Sequence, residues 1–275
     1  MSTFLFGLAE SFSARLVEIR AIIGRAEAAF ETDQELYDIL CRAGAVLMVS
    51  GLEAFIKDIN EAIQSDINAN IDSFEQMPAG MKREFTLKIA QIDGASESDI
   101  NKKSRQLAKF FATNSVKIDL GAFPNKENTN KNPSSSMVDT AFQKYGIRSI
   151  LYCLHGSNFE AVFDGDSASN VLVSRQIKRM RATLFHFPYR ELPADYTLTD
   201  WDGKKGEVPP SSLWQDFLGN ILRRRHGIVH ADTRDNPTSW ESLRADTDKL
   251  EILFAGLTYA ASSLLARDLQ PAIPV

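Results

Sequence analysis

An all-α fold is what this sequence predicts, and three observations carry the prediction. Apolar residues recur at three- and four-residue spacing near both ends of the chain, capping residues stand in front of those runs, and the composition is that of a globular protein. From Leu8 onward, Phe12, Leu16, Ile19 and Ile23 fall on one stripe of a helix reaching about Phe30. Thr32-Asp33-Gln34-Glu35 reads as a capping box opening a second helix. Its stripe of Leu36, Leu40, Ala43, Leu47, Ser50 and Ala54 continues towards Ala62, and its small residues, Gly44 and Gly51 among them, would let a neighbour pack closely. These two helices are expected to form an antiparallel hairpin.

Between about Ser65 and Pro210 the pattern weakens. Helical stretches are expected near Lys82 to Ile92, Glu97 to Thr113, Met137 to Tyr145 and Ser169 to Phe185. The turn-rich segments Pro124 to Pro133 and Asp200 to Pro210 read as exposed loops. Periodicity returns after Pro209-Pro210-Ser211-Ser212, a stop followed by an N-cap, with Leu213, Phe217 and Ile221 at four-residue spacing. After a polar break from Asp232 to Pro237, a capping box at Thr238-Ser239-Trp240-Glu241 opens a long helix with Leu243, Leu250, Phe254, Leu257, Ala261 and Leu264 inward. The expected organisation is a bundle of four core helices from residues 1–65 and 211–275, with residues 66–210 a helical, loop-rich insertion.

The chain has 275 residues, 44% hydrophobic and 24% charged, enough for one large domain or two small ones. A net charge of −5 gives no global attraction to nucleic acid, so RNA binding would need a local basic patch. Cys41 and Cys153 lie far apart without CxxC spacing and read as buried thiols in a reducing cytoplasm. The first residues lack a basic signal-peptide region, and the longest uncharged run, Ile252 to Ala266, falls short of the roughly 20 residues that span a bilayer. A cytoplasmic protein without a membrane partner is expected, and no cofactor or metal is called for.

One segment is loaded with chemistry. Leu222 to His230 holds Arg223, Arg224, Arg225, His226 and His230, two of the chain's four histidines. Arginine presents a planar charged fork to phosphate, and histidine moves protons near neutral pH. Together they suit attack of a ribose 2′-hydroxyl on the adjacent phosphate, with His230 handling a proton and Arg225 stabilising the phosphoryl oxygens. The same residues in the last turn of a helix would also complement its dipole. On an unbroken helix Arg225 and His230 lie about 140° apart. A bend at Gly227 or a second copy across a twofold axis would be needed to bring them together.

Arg225-His226-Gly227-Ile228-Val229-His230 fits the motif of the HEPN superfamily: an arginine, a polar residue, three further residues and a histidine. Ala43 to Asp58, with Val49-Ser50-Gly51-Leu52-Glu53-Ala54-Phe55-Ile56, is similar to the first core helix pair of RiboL-PSP-type HEPN proteins. The resemblance implies a metal-independent endoribonuclease of a toxin or antiviral-defence kind, with Arg225 and His230 catalytic, His226 assisting and two protomers face to face. A cognate antitoxin or other defence-system protein would hold it in check. Glu53 is a candidate for orienting Arg225 or His230, or it simply reaches solvent. In one subfamily a tyrosine two residues past the motif histidine is modified; here that position is Asp232, which puts such regulation in doubt. The alternative function is a non-cleaving dimer that binds RNA or nucleotide, or assembles a larger complex.

Three further signals carry less. Lys178, Arg179 and Arg181, followed by Phe185, Phe187 and Tyr189, mix cations with aromatics as RNA-binding surfaces do, and half-buried helices look the same. Asp164-Gly165-Asp166 begins like a calcium loop, but Ala168, Ser169 and Arg175 stand where a ligand, the turn glycine and the closing glutamate belong. His155 and His186 have no ligand spacing to other donors.

Overall fold

Helices and turns make up every regular element among the described residues of the computed structural model, which are 2–91, 94–117, 134–165, 167–193, 196, 198–199, 201, 207, 209–230 and 238–269. The all-α expectation therefore holds. The first expected helix is three: α1 (Phe4–Ala9), α2 (Phe12–Arg15) and α3 (Val17–Ala29). The stripe of Phe12, Leu16, Ile19 and Ile23 is buried as expected, across those breaks.

The second helix, α4 (Gln34–Asn70), is 37 residues long, about 55 Å at 1.5 Å per residue. Its N-cap is Asp33, whose side chain accepts from the Leu36 N–H, while the Thr32 hydroxyl turns back to the Ala28 carbonyl. The expected box is thus displaced by one residue. The buried face also differs from expectation. Tyr37, Cys41, Met48, Leu52, Phe55 and Ile59 point inward, whereas Leu36, Ser50 and Ala54 are exposed on the opposite side, with Ile39 beside them.

α3 and α4 pack as the expected hairpin, and two C-terminal helices close on it. These are α10 (Leu213–Val229) and α11 (Trp240–Leu269), the first resting on α4 and the second on both α3 and α4. From Ile252 to Ser263 every residue of α11 is buried, the mark of a helix surrounded by protein. α4 and α11 are long and apolar enough to cross a membrane, but 83% of the α11 window is buried inside the fold, as in the core of a soluble protein. The Phe55 and Phe254 rings stack 4.0 Å apart where α4 meets α11, and a Cβ on Gly44 would stand 3.2 Å from the Leu243 side chain. The α10 cap is as predicted: Ser212 and Gln215 form a reciprocal capping box. Leu213, expected inward, is exposed, and Trp214 takes the buried position. At α11 the capping hydroxyl is Ser239, which accepts from Ser242 N–H, because Thr238 is engaged elsewhere.

The middle of the chain contributes α5 (Ala79–Ala90), α6 (Glu97–Thr113), α7 (Ser135–Gln143), α8 (Ile150–Cys153) and α9 (Ser167–Met180), with 3-10 turns at Phe74–Gln76, Asn158–Asp164 and Arg181–Leu184. Buried residues of α7, α8 and α9 belong to the same apolar cluster as α4 and α11, so this part is built onto the bundle rather than beside it. α5 and α6 form a hairpin of their own, pinned by a Thr86–Ser104 hydroxyl contact of 2.8 Å and by the Phe74, Phe85 and Phe111 rings. It meets the body where Gly80 touches Gly146 backbone to backbone. The segments expected as exposed loops, Pro124 to Pro133 and most of Asp200 to Pro210, lie outside the described residues, as does the polar break from Asp232 to Pro237.

Asp66, near the end of α4, is buried beneath the N-terminus. Its carboxylate accepts from the N–H groups of Phe4 (2.7 Å) and Leu5 (3.0 Å) and from the Tyr189 hydroxyl (2.8 Å). Burial outweighs these three donors and holds its carboxyl above the ordinary range. Protonation of Asp66 therefore favours the folded chain, and this group does not initiate acid unfolding.

Candidate active site at the end of α10

α10 runs through Gly227 without a break and ends at Val229, with His230 as its C-cap donating its backbone N–H to the His226 carbonyl at 3.1 Å. The bend that would have carried Arg225 round to His230 is absent. The helix instead presents two chemically distinct faces. Trp214, Leu218 and Ile221 form the core stripe, and continuing it at 100° per residue leads to Arg225 and Ile228. Arg223, His226 and His230 fall on the opposite, exposed side, at i, i+3 and i+7. The two imidazole rings lie 4.2 Å apart, centroid to centroid, tilted by 49°. Among the described residues Arg223 is held by a neighbour on its own helix, donating to Asn220 Oδ1 at 3.0 Å.

The three arginines thus have three different situations. Arg224 donates one guanidinium nitrogen to Thr238 Oγ1 at 2.9 Å and another to the carboxylate of Asp246, latching α10 to the first turns of α11. That engagement withdraws Arg224 from the set expected to contact RNA. Arg225 is half-buried and forms no hydrogen bond or ion pair among the described residues. Arg223 is exposed and pairs with no acid among the described residues. Nothing local in the sequence singles out Arg224, whose partner is 22 positions away. The usable signal was Asp246, a carboxylate on the apolar face of α11 between Leu243 and Leu250, which needs a buried cation.

This sorting predicts different costs. Arg224→Ala leaves Asp246 facing Lys249 alone, at 3.9 Å, and is expected to cost about 2 kcal/mol of stability. Arg223→Ala is expected to stay within about 0.5 kcal/mol of the wild type. Urea unfolding of the two variants checks both, and equal midpoints would show that the latch contributes nothing.

The remaining candidates belong to other elements. Glu53 is exposed on α4 and joins no hydrogen bond or ion pair among the described residues, so nothing in the structure couples it to Arg225 or His230. Lys178 and Arg179 are exposed in the last turn of α9. Arg181 pairs with Glu10 at 3.1 Å and lies over the Phe6 ring at 5.3 Å, which makes it a clamp on α1 rather than a free cation. Among the described residues no group of three or more His, Cys, Asp and Glu side chains could hold a metal ion.

An all-helical body with an arginine and histidine motif closing one of its long core helices defines a HEPN-type protein. The RiboL-PSP-HEPN family model matches residues 10–255, and the chain belongs to that family. No curated protein and no solved structure matches it.

Proposed function

We infer that this protein is a metal-independent endoribonuclease whose site is the end of α10, completed by a second copy of the chain. The observation that carries the reading is the exposed His226–His230 pair, with Arg223 on the same face and Arg225, without a partner among the described residues, on the next. Cleavage by 2′-hydroxyl attack needs a base, an acid and a cation near the phosphate. One imidazole takes the 2′-hydroxyl proton as the 2′-oxygen bonds to phosphorus; a second imidazole protonates the departing 5′-oxygen as its bond to phosphorus breaks. The products are a 2′,3′-cyclic phosphate and a free 5′-hydroxyl. Arg225 offsets the charge growing on the non-bridging oxygens.

Arg225 and His230 point away from one another on one continuous helix, so a catalytic pair between them requires two protomers. The apolar residues Leu36 and Ile39, 44% and 48% exposed on the outer face of α4, offer surface that such a partner would cover. The family and the chemistry together favour a role in a toxin–antitoxin or defence system in the cytoplasm, with a cognate protein restraining the nuclease. The same divergence also supports a second reading: a chain that never pairs its Arg225 with a partner's His230 would bind RNA without cutting it.

The chemistry is tested on a synthetic RNA carrying one 2′-O-methyl ribose. The inferred mechanism predicts cyclic-phosphate ends at cut sites and complete protection at the methylated position. Cutting at that position, or 5′-phosphate ends, would replace 2′-hydroxyl attack by hydrolysis.

A further inference from the structure

In a chain of net charge −5, the segment from Lys82 to Lys117 reverses the sign, with eight lysines and arginines against four acids. That segment is the α5–α6 hairpin. α6 has two sharply different sides: Ser104, Phe111 and Ala108 turn toward α5 and the Phe74 ring, while Lys102, Lys103, Arg105, Lys109 and Phe110 are all exposed. Lys102, Arg105 and Lys109 follow one another at three- and four-residue spacing, so their charges form a row along the outer face.

The treatment of cations elsewhere in the fold sharpens the contrast. On the body, Arg15 pairs with Asp58, Arg20 with Asp248 and Glu251, Arg244 with Glu27, and Arg267 with Glu191. On α6 none of Lys102, Lys103, Arg105 and Lys109 has an acidic or hydrogen-bonding partner among the described residues. An unneutralised cationic row on an acidic protein attracts a polyanion locally, where the whole-molecule charge does not. Phe110, 58% exposed beside that row, offers an aromatic ring of the kind on which an unpaired base stacks.

We propose that the outer face of α6 is an RNA-docking surface, separate from the end of α10, which grips the phosphate backbone of a single-stranded segment through Lys102, Lys103, Arg105 and Lys109 and stacks a base on Phe110. It supplies the local basic patch that the composition demands. This proposal deepens the nuclease reading but does not depend on cleavage, since a binding module would use the same surface.

The test is fluorescence anisotropy with a labelled 2′-O-methyl RNA 20-mer, which cannot undergo 2′-hydroxyl attack, titrated with the full-length protein in EDTA at several salt concentrations. The comparison is wild type, the Lys102→Ala/Lys103→Ala/Arg105→Ala/Lys109→Ala variant, Phe110→Ala, and a charge-preserving variant with the three lysines changed to arginine. Circular dichroism checks folding of each. The quadruple variant is expected to bind at least tenfold more weakly and to lose up to about 3 from the slope of log affinity against log salt. Phe110→Ala should weaken binding about fivefold or more without changing that slope. The arginine variant should bind as wild type does. Wild-type affinity and slope in a folded quadruple variant would overturn the proposal. So would a wild type that binds phosphatidylserine vesicles but no RNA. If the protein binds through α6 and cuts no RNA, the docking surface stands and the nuclease reading falls.

Discussion

His230→Ala is expected to lower the rate of RNA cleavage about 10²–10⁴-fold, the usual loss when a positioned proton-transfer group is removed. The fold should be unaffected, because His230 is the exposed C-cap of α10 and its hydrogen bond to His226 uses the backbone N–H, which alanine retains. Arg225→Ala should lose a comparable factor through the charge it leaves unbalanced on the phosphoryl oxygens. The 140° between these residues adds a stricter expectation. Mixing the two inactive variants should restore part of the activity, since a mixed dimer contains one site with an intact Arg225 from one copy and an intact His230 from the other. Single-turnover cleavage of the mixture measures this. No recovery, with mixed dimers demonstrably present, would mean that each protomer works alone.

The largest stability loss is expected from Gly146→Ala. Gly146 has φ of 84°, a left-handed conformation that a side chain strains, and a Cβ there would stand 2.6 Å from Gly80 Cα and 2.9 Å from Gly80 C. Both obstacles are backbone, so no side chain can swing aside. The cost should be about 2–4 kcal/mol, a fall in Tm on the order of 10 °C for a chain of this size. Gly156→Ala isolates the strain, because Gly156 has φ of 69° and nothing within 4 Å of its Cβ position. That variant should lose about 1 kcal/mol. Equal losses in the two would show that the Gly80–Gly146 contact, and with it the seating of the α5–α6 hairpin, costs nothing to disturb.

Much of this architecture is legible in the sequence where a helix has one apolar side. The stripe of α3 and the Ser212 cap of α10 are read correctly because polar residues mark the alternative face or the alternative start as solvent. α4 defeats the same reasoning. Its first half carries two apolar stripes with the same period, Leu36, Leu40, Ala43 and Leu47 on one side and Tyr37, Cys41, Met48 and Leu52 on the other, and periodicity cannot choose between them. The second half decides it. The inner stripe goes on through Phe55, Ile59 and Ile63, whereas the outer one turns into Lys57 and Glu61. The caps at Thr32 and Thr238 miss by one residue for a related reason, since two hydroxyl or carboxylate side chains stand side by side and a competing hydrogen bond, to the Ala28 carbonyl for Thr32 and from Arg224 for Thr238, takes one of them elsewhere.

The candidate site shows the same division. That the end of α10 is the chemically loaded place follows from residue types alone. Which arginine is structural does not, because Arg224 is claimed by Asp246 through a fold that brings α11 back alongside α10. The unpaired row on α6 is also invisible to composition. Its significance comes from seeing that several arginines of the body, Arg15 and Arg244 among them, have carboxylate partners, whereas Lys102, Lys103, Arg105 and Lys109 have none among the described residues.

Metal-independent catalysis by His230 is decided by incubating total cellular RNA with the purified protein in EDTA, beside its His230→Ala variant at matched helical content. Fragments are expected from the wild type and intact RNA from the variant. Intact RNA from both, or equal fragmentation by both, would contradict it.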